Sequence, residues 1–126
     1  MKKKNILITG GTGFIGSNLA KMLIKKKFNI KIYDNNSRQS SKNLNKIPKQ
    51  IKIIRGDIRN KNKFFNALKK TDIVIHLAYI NGTKFFYSRP VDILDIAVKG
   101  MLNVIEGCIK FKIKELYLAS SSEVYQ

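Results

Sequence analysis

Thr9-Gly-Gly-Thr-Gly-Phe-Ile-Gly16 packs four glycines into eight residues, and the chemistry of such a run is that of backbone brought against phosphate. Gly11, Gly13 and Gly16 have the spacing of a dinucleotide fingerprint, and Gly10, Gly13 and Gly16 a variant spaced by three. Glycine serves the tight turn, a side-chain-free approach to a pyrophosphate, and a helix lying close to its strand. The free N–H groups of a helix that opens at Phe14 and Ile15 then hold the phosphates. Asp34, with Asn35 beside it, stands 18 residues past Gly16. A carboxylate there accepts hydrogen bonds from both ribose hydroxyls and repels a 2′-phosphate, which favours NAD over NADP. Near the other end, Ser120-Ser121-Ser122-Glu123 gathers three hydroxyls and a carboxylate. They read as a polar turn, or as ligand-facing groups at the C-terminal end of a parallel strand.

These groups need elements to position them. Asn5–Thr9 is a short β-branched run bounded by glycines, a strand buried on both faces. From Phe14 the period turns helical through Ile15, Leu19, Met22 and Leu23, and Lys25–Lys27 complement the helix C-terminus. A second strand covers 29–33, and the polar stretch 34–50 is a long loop with one helical turn. Strand three covers 51–54, a helix 60–70 turns Phe64, Phe65 and Leu68 inward, and strand four covers 72–77. Pro90 suits a first helical turn, with Asp92 and Asp95 near its positive end. Ile93, Ala97, Met101, Ile105 and Cys108 form one stripe, carrying that helix to about Lys110, and strand five covers 115–119. Strands alternating with helices imply right-handed crossovers and a parallel sheet. The expectation is an α/β domain over residues 1–126, a Rossmann-type sheet in the order 3-2-1-4-5 with helices on both faces. The chain ends before a sixth strand, so strand five is an edge.

A chain of 126 residues with 44% hydrophobic and 26% charged residues is one ordinary globular domain. No apolar run reaches the roughly 18 residues of a membrane span. Met1-Lys2-Lys3-Lys4 looks like the start of a signal peptide, but the apolar stretch after it is short and runs into glycines. A cytoplasmic protein is expected. The single cysteine, Cys108, rules out a disulfide within the chain and fits a reducing compartment. The net charge of +17 reads either as a device for an anionic partner or as overuse of Lys alongside Asn and Ile. Because the basic residues are scattered rather than gathered in a stripe with aromatics, no nucleic-acid partner and no membrane partner is expected.

On these residues the chain resembles the extended short-chain dehydrogenase/reductase family, in its NAD-dependent nucleotide-sugar epimerase/dehydratase branch. The motifs run in order along the whole chain: the turn Thr9 to Gly16, Tyr33-Asp34-Asn35, Gly56-Asp57-Ile58-Arg59, His76-Leu77-Ala78, and Ser120 through Tyr125. The resemblance implies that Asp57 and Ile58 contact the adenine, with a turn or helix cap as the alternative for Asp57. It implies that Leu77 and Ala78 line the cofactor, and that His76 packs at a strand end rather than acting as a base. Aligned on Val124-Tyr125, Ser121 takes the place of the catalytic Ser/Thr that hydrogen-bonds the sugar's C4 oxygen. Ser122 and Glu123 stand where many 4,6-dehydratases have Asp-Glu, while Ser-Glu also occurs in GDP-mannose dehydratases and UDP-glucuronate decarboxylases. Glu123 therefore keeps epimerase, dehydratase and decarboxylase readings open. The implied substrate is a UDP-, GDP- or dTDP-sugar, and the implied assembly of the full-length form a homodimer.

Departures bound these expectations. Ala97 stands where the resemblance implies an Asn near the nicotinamide, Met101 replaces a Thr, and Gln126 a Gly. The family's Tyr-x-x-x-Lys pair is missing, since Tyr33, Tyr79, Tyr87 and Tyr117 are followed four residues on by Ser37, Thr83, Val91 and Ser121. The chain is thus expected to be the cofactor-binding part of such an enzyme, with the substrate domain absent. A non-catalytic NAD-binding module and a basic interaction protein that kept only the fold are the alternatives.

Overall fold

The computed structural model describes residues 3–37, 45, 47–80, 82–121 and 125. Among them five strands are found, β1 (Asn5–Thr9), β2 (Asn29–Asp34), β3 (Lys52–Arg55), β4 (Ile73–His76) and β5 (Glu115–Leu118). All pair in parallel, in the order β3-β2-β1-β4-β5, as the strand–helix alternation predicts. Ile6 lies between Ile30 and Ile73, and the same register sets Thr9 between Tyr33 and His76.

Side chains that alternate across the sheet divide the core in two. Leu7, Tyr33 and Val74 belong to one cluster, and Ile6, Ile8, Ile30, Ile32 and Ile73 to the other. The first is covered by α2 (Lys61–Leu68) through Phe64, Ala67 and Leu68. The second is covered by α1 (Phe14–Lys25) through Ala20, with Leu19, Leu23 and Ile24 half-buried against it. Asn60 starts α2 by accepting the Lys63 N–H at 3.1 Å. Helices on both faces explain why β1 is apolar without alternation.

Two helices are rotated from their expected faces. In α1 the inner residues are Gly16, Ser17 and Ala20, whereas Ile15 and Met22 are 67% and 59% exposed. A helix that must press against the turn after β1 turns its small residues inward. After Pro90 the helical run is continuous but not uniform: α4 (Pro90–Asp95), a π-helical turn (Ile96–Gly100), then α5 (Met101–Lys110). Its inner face is Ile93, Ile96, Gly100, Asn103, Val104 and Gly107. Ile105, expected inside, is 42% exposed, because three steps of four residues from Ile93 overshoot the 3.6-residue turn and leave it about a third of a turn off the buried face. Cys108 is half-buried against the α2-side core, where burial pushes its thiol pKa up.

A short helix, α3 (Thr83–Ser88), has no counterpart in the sequence reading; it buries no residue of its own and so leaves no apolar period. Of the stretch 34–50, where a long loop with one helical turn is expected, residues 38–44 and 46 lie outside the described residues. β5 is an edge strand, with Tyr117 and Leu118 both about half exposed.

Candidate functional site

A parallel sheet brings the C-terminal ends of its strands to one edge, and the singled-out residues of the first four strands meet there. Gly10 leaves β1 with φ +68°, a conformation L side chains rarely adopt, and a Cβ on it would lie 2.8 Å from the Ala78 nitrogen. A Cβ on Gly16 would lie 2.7 Å from the Gly10 oxygen. The turn is closed by Gly10 N–H donating to the Tyr33 oxygen at 3.0 Å and Gly13 N–H to the Gly10 oxygen at 3.2 Å. No side chain caps α1, so the first-turn N–H groups of Phe14, Ile15 and Gly16 have no intrahelical acceptor of the i−4 kind. These N–H groups form a backbone cradle fit for an anion, and Gly10 and Gly16 let the turn, the start of α1 and the Leu77–Ala78 segment approach more closely than a Cβ allows.

Asp34, at the end of β2, is fixed against that cradle. Its Oδ2 accepts the Thr12 N–H at 3.0 Å and its Oδ1 the Asn36 N–H at 2.8 Å. A carboxylate has about four lone-pair positions, so each oxygen keeps one for a further donor. The described residues thus fit a dinucleotide: N–H donors for a pyrophosphate and a half-filled carboxylate for a ribose diol.

Asp57, beyond β3, is held differently. Its Oδ1 accepts the Arg59 N–H at 2.9 Å and Arg59 Nε at 3.0 Å. Its Oδ2 accepts Arg59 Nη2 at 2.9 Å and Asn35 Nδ2 at 3.2 Å. The bond to the Arg59 N–H is the turn cap that the sequence left open as an alternative. The guanidinium beside it holds the Asp57 carboxyl down at about 2. Arg59 also donates to Asp95 of α4 at 3.0 Å, tying this loop to the helix across from it. Tyr33 donates to the Asp57 carbonyl at 2.9 Å, and burial, then the Asp57 charge, pushes its phenol up to about 12. Ile58 is buried in the core and its carbonyl accepts Asn103 Nδ2 at 2.8 Å; only its N–H is left to meet a ligand.

Leu77 and Ala78 are set by Thr9. Both their N–H groups donate to Thr9 Oγ1, at 3.2 Å each, and Leu77 N–H also reaches the Thr9 carbonyl at 3.1 Å. Thr9 Oγ1 lies 2.7 Å from Nδ1 of His76, which is buried at the strand end as expected. Burial pushes the imidazole pKa down to about 4. Thr9 and Arg59 stand inside the quoted motifs but carry no role in the sequence reading, although both organise the site. Their signals are a hydroxyl ending an otherwise apolar strand, and an arginine two residues after an aspartate.

Ser121 follows β5 on the same edge of the sheet and is exposed. Glu123, with Ser122, Val124 and Gln126, lies outside the described residues. Among the described residues no group of three or more His, Cys, Asp or Glu is placed to hold a metal ion, and no helix is long and apolar enough to cross a membrane.

Residues 6–126 match the NAD dependent epimerase/dehydratase family. A UDP-N-acetyl-alpha-D-glucosaminuronate decarboxylase of Bacillus cytotoxicus is 37% identical over 123 residues, covering 98% of this chain and 38% of that protein. The structure of an epimerase from Methanothermobacter thermautotrophicus superposes with a TM-score of 0.88 at 31% identity, over 96% of this chain and 36% of that one. UDP-glucose 4-epimerase of Thermus thermophilus, solved in complex with NAD, gives a TM-score of 0.81 at 28% identity, over 89% of this chain and 36% of that one. The chain therefore spans less than two fifths of the length of these relatives.

Proposed function

Since the chain belongs to the NAD-dependent epimerase/dehydratase family, we propose that it forms the NAD-binding part of an enzyme acting on a UDP-, GDP- or dTDP-linked sugar, with 4-epimerisation as the activity. The observation that carries the reading is Asp34, pinned by the Thr12 and Asn36 N–H groups at the lip of the glycine cradle with one acceptor position open on each oxygen. NAD, when bound, supplies the hydride acceptor. The chain's own residues bind and orient it: the Phe14, Ile15 and Gly16 N–H groups toward the pyrophosphate, Asp34 toward the adenosine ribose, Leu77 and Ala78 along its flank. Ser121 is the hydroxyl offered to the C4 oxygen of the sugar. The second reading, decarboxylation or 4,6-dehydration, is favoured by Glu123 and by the relative at 37% identity being a decarboxylase.

Titration with NAD and NADP tests the reading. NAD should bind at least about tenfold more tightly, and Asp34→Ala should weaken NAD by roughly 10- to 100-fold, the worth of one charge-assisted hydrogen bond. Equal affinities for the two dinucleotides would overturn it. The 126-residue chain by itself should not turn over UDP-glucose, since none of its tyrosines is followed four residues on by lysine; product seen by nuclear magnetic resonance would restore a different base.

The proposal extends to a homodimer of the whole protein. Val91, Leu94, Val98, Leu102, Ile105 and Ile109 are all 42% exposed or more and recur at intervals of three and four along α4, the π turn and α5. Although 25 of the 126 residues are Lys or Arg, this stripe of roughly 25 Å carries none. A single straight apolar stripe is self-complementary about a two-fold axis, which suits a second copy.

A further inference from the structure

A parallel sheet has a second edge, where its strands begin, and there the fold gathers lysines that lie apart in the sequence. Lys31 of β2 stands opposite Lys52 of β3, so the two side chains share a face. Lys31 Nζ donates to the Ala67 and Lys69 carbonyls at 2.7 and 2.8 Å, and the Leu68 carbonyl accepts the Thr71 N–H at 3.1 Å. The carbonyls that end α2 are thus already engaged. An ammonium has three protons, so Lys31 keeps one. Burial, and then the charge of Lys52, push its pKa down, the direction expected where no anion balances the two. Lys69 and Lys70 close the same corner, and Lys70 holds φ +58°, a left-handed position after a helix that glycine usually fills. Among the described residues none of these four lysines has an acidic partner. Asp72, on the same edge, accepts the Asn5 N–H and Nδ2 at 2.9 and 3.3 Å. A cation near a helix end complements the dipole. The dipole does not account for two lysines set opposite each other on neighbouring strands, where like charges repel.

These lysines line a cavity of about 350 Å³ together with Asn29 and Asn66. A second, of about 310 Å³, adjoins it through Asn29 and Ile30 and adds Lys3, Lys27 and Gln50. No carboxylate lines either one. Phe28 is the one ring along this groove, and it packs half-buried against the core rather than standing open for a base to stack on. We propose that the groove, at the opposite end of the strands from the glycine cradle, binds a condensed phosphate, an anion of two or more linked phosphoryl groups. Its ammonium and carboxamide groups supply donors, and a chain of phosphoryl charges matches cations spread along a groove. The anion takes the remaining proton of Lys31 and relieves the repulsion between Lys31 and Lys52. The site stands independently of NAD binding.

The probe is inorganic tripolyphosphate, titrated into the isotope-labelled chain at about 0.15 M salt, where diffuse attraction is screened, and followed by nuclear magnetic resonance. The side-chain amides of Asn29 and Asn66 should shift and saturate. Lys52→Gln with Lys70→Gln should weaken binding at least about tenfold, the worth of one charge-assisted hydrogen bond. Lys31 is left in place because it also caps α2. Lys63→Gln with Lys84→Gln removes the same charge elsewhere and should leave the affinity within about twofold. The dispersion of the same spectra reports that each variant is folded. Equal weakening in the two variants would mean that overall charge, not a site, holds the anion, and overturns the proposal. So do shifts confined to the Gly10–Gly16 amides, which place the anion in the glycine cradle. A short oligothymidylate that shifts the Asn29 and Asn66 amides where tripolyphosphate does not would make the groove a nucleic-acid surface instead, and overturns it as well.

Discussion

The hydroxyl of Thr9 has one proton and two lone pairs, and all three are engaged. It accepts the N–H groups of Leu77 and Ala78, so its proton must go to His76 Nδ1 at 2.7 Å. Nδ1 is then an acceptor, and the ring is neutral with its proton on Nε2. Protonating Nδ1 would set two donors against each other in a buried place. Burial lowers the imidazole pKa, the clash acts in the same direction, and stability therefore depends on pH. Below the ordinary value of 6.5 the unfolded chain takes up a proton that the folded chain refuses until about 4. Stability contributed by His76 is therefore present above about pH 6.5 and is lost as pH falls toward 4, by about 3 kcal/mol in total. Denaturant unfolding between pH 7 and 4.5 should show this slope, and His76→Asn should flatten it. Asp57 does not blur the test, because its own loss begins below its ordinary value of 3.8 and runs toward about 2.

Among the elements, α1 carries the tightest constraint. It meets the turn after β1 through Gly16, where a Cβ would sit 2.7 Å from the Gly10 oxygen, so neither backbone can yield without moving the cradle. Gly16→Ala should cost about 1–3 kcal/mol of stability, as overpacking does, and should weaken NAD at the same time. Ile15→Ala on the exposed side of the same turn should leave thermal stability within about 0.5 kcal/mol. Equal effects of the two on Tm would mean that α1 is not held by close approach. The expected inner stripe of α1 holds for Leu19 and Leu23, half-buried against the core, and fails for Ile15 and Met22, because the side that presses on the turn admits only small residues. In the run from Pro90 to Lys110 the cause is different. There the expected stripe steps by four residues from Ile93 through Ala97 and Met101 to Ile105, and each step overshoots the 3.6-residue turn, so it drifts off the buried face of Ile93, Ile96, Gly100, Val104 and Gly107.

At the scale of the molecule, two features compete. The +17 charge opposes association of copies at low ionic strength, while the proposed dimer would bury the apolar stripe from Val91 to Ile109. Charge repulsion fades as salt shortens the screening length to about 8 Å at 0.15 M, and burial of apolar surface does not fade with it. Sedimentation across a salt series should therefore show a dimer that strengthens with salt. Val98→Lys with Leu102→Lys, both on exposed positions, should leave a monomer with an unchanged Tm. A dimer that survives both substitutions would place the interface elsewhere, with the β5 edge as the next surface to examine.

The strands, the parallel order and the glycine turn were legible in the residues alone, because each depends on features within a few positions of itself. β-branched runs between glycines make the strands, and Gly10 to Gly16 can make only a tight turn. Asp34 was legible too, since its place at the end of β2 follows from strand length. Helix rotation was not, because it depends on what each helix packs against. Nor was the state of the two aspartates. Local donors, Asn36 for Asp34 and Arg59 for Asp57, fill part of each carboxylate, and the last donor on each comes from 22 residues away, Thr12 for Asp34 and Asn35 for Asp57. Thr9 and His76, 67 residues apart, meet because the register that pairs Ile6 with Ile73 pairs them three residues further along. Local propensity sets which elements form; only their packing sets which hydrogen-bonding positions are spent and which are left for a ligand.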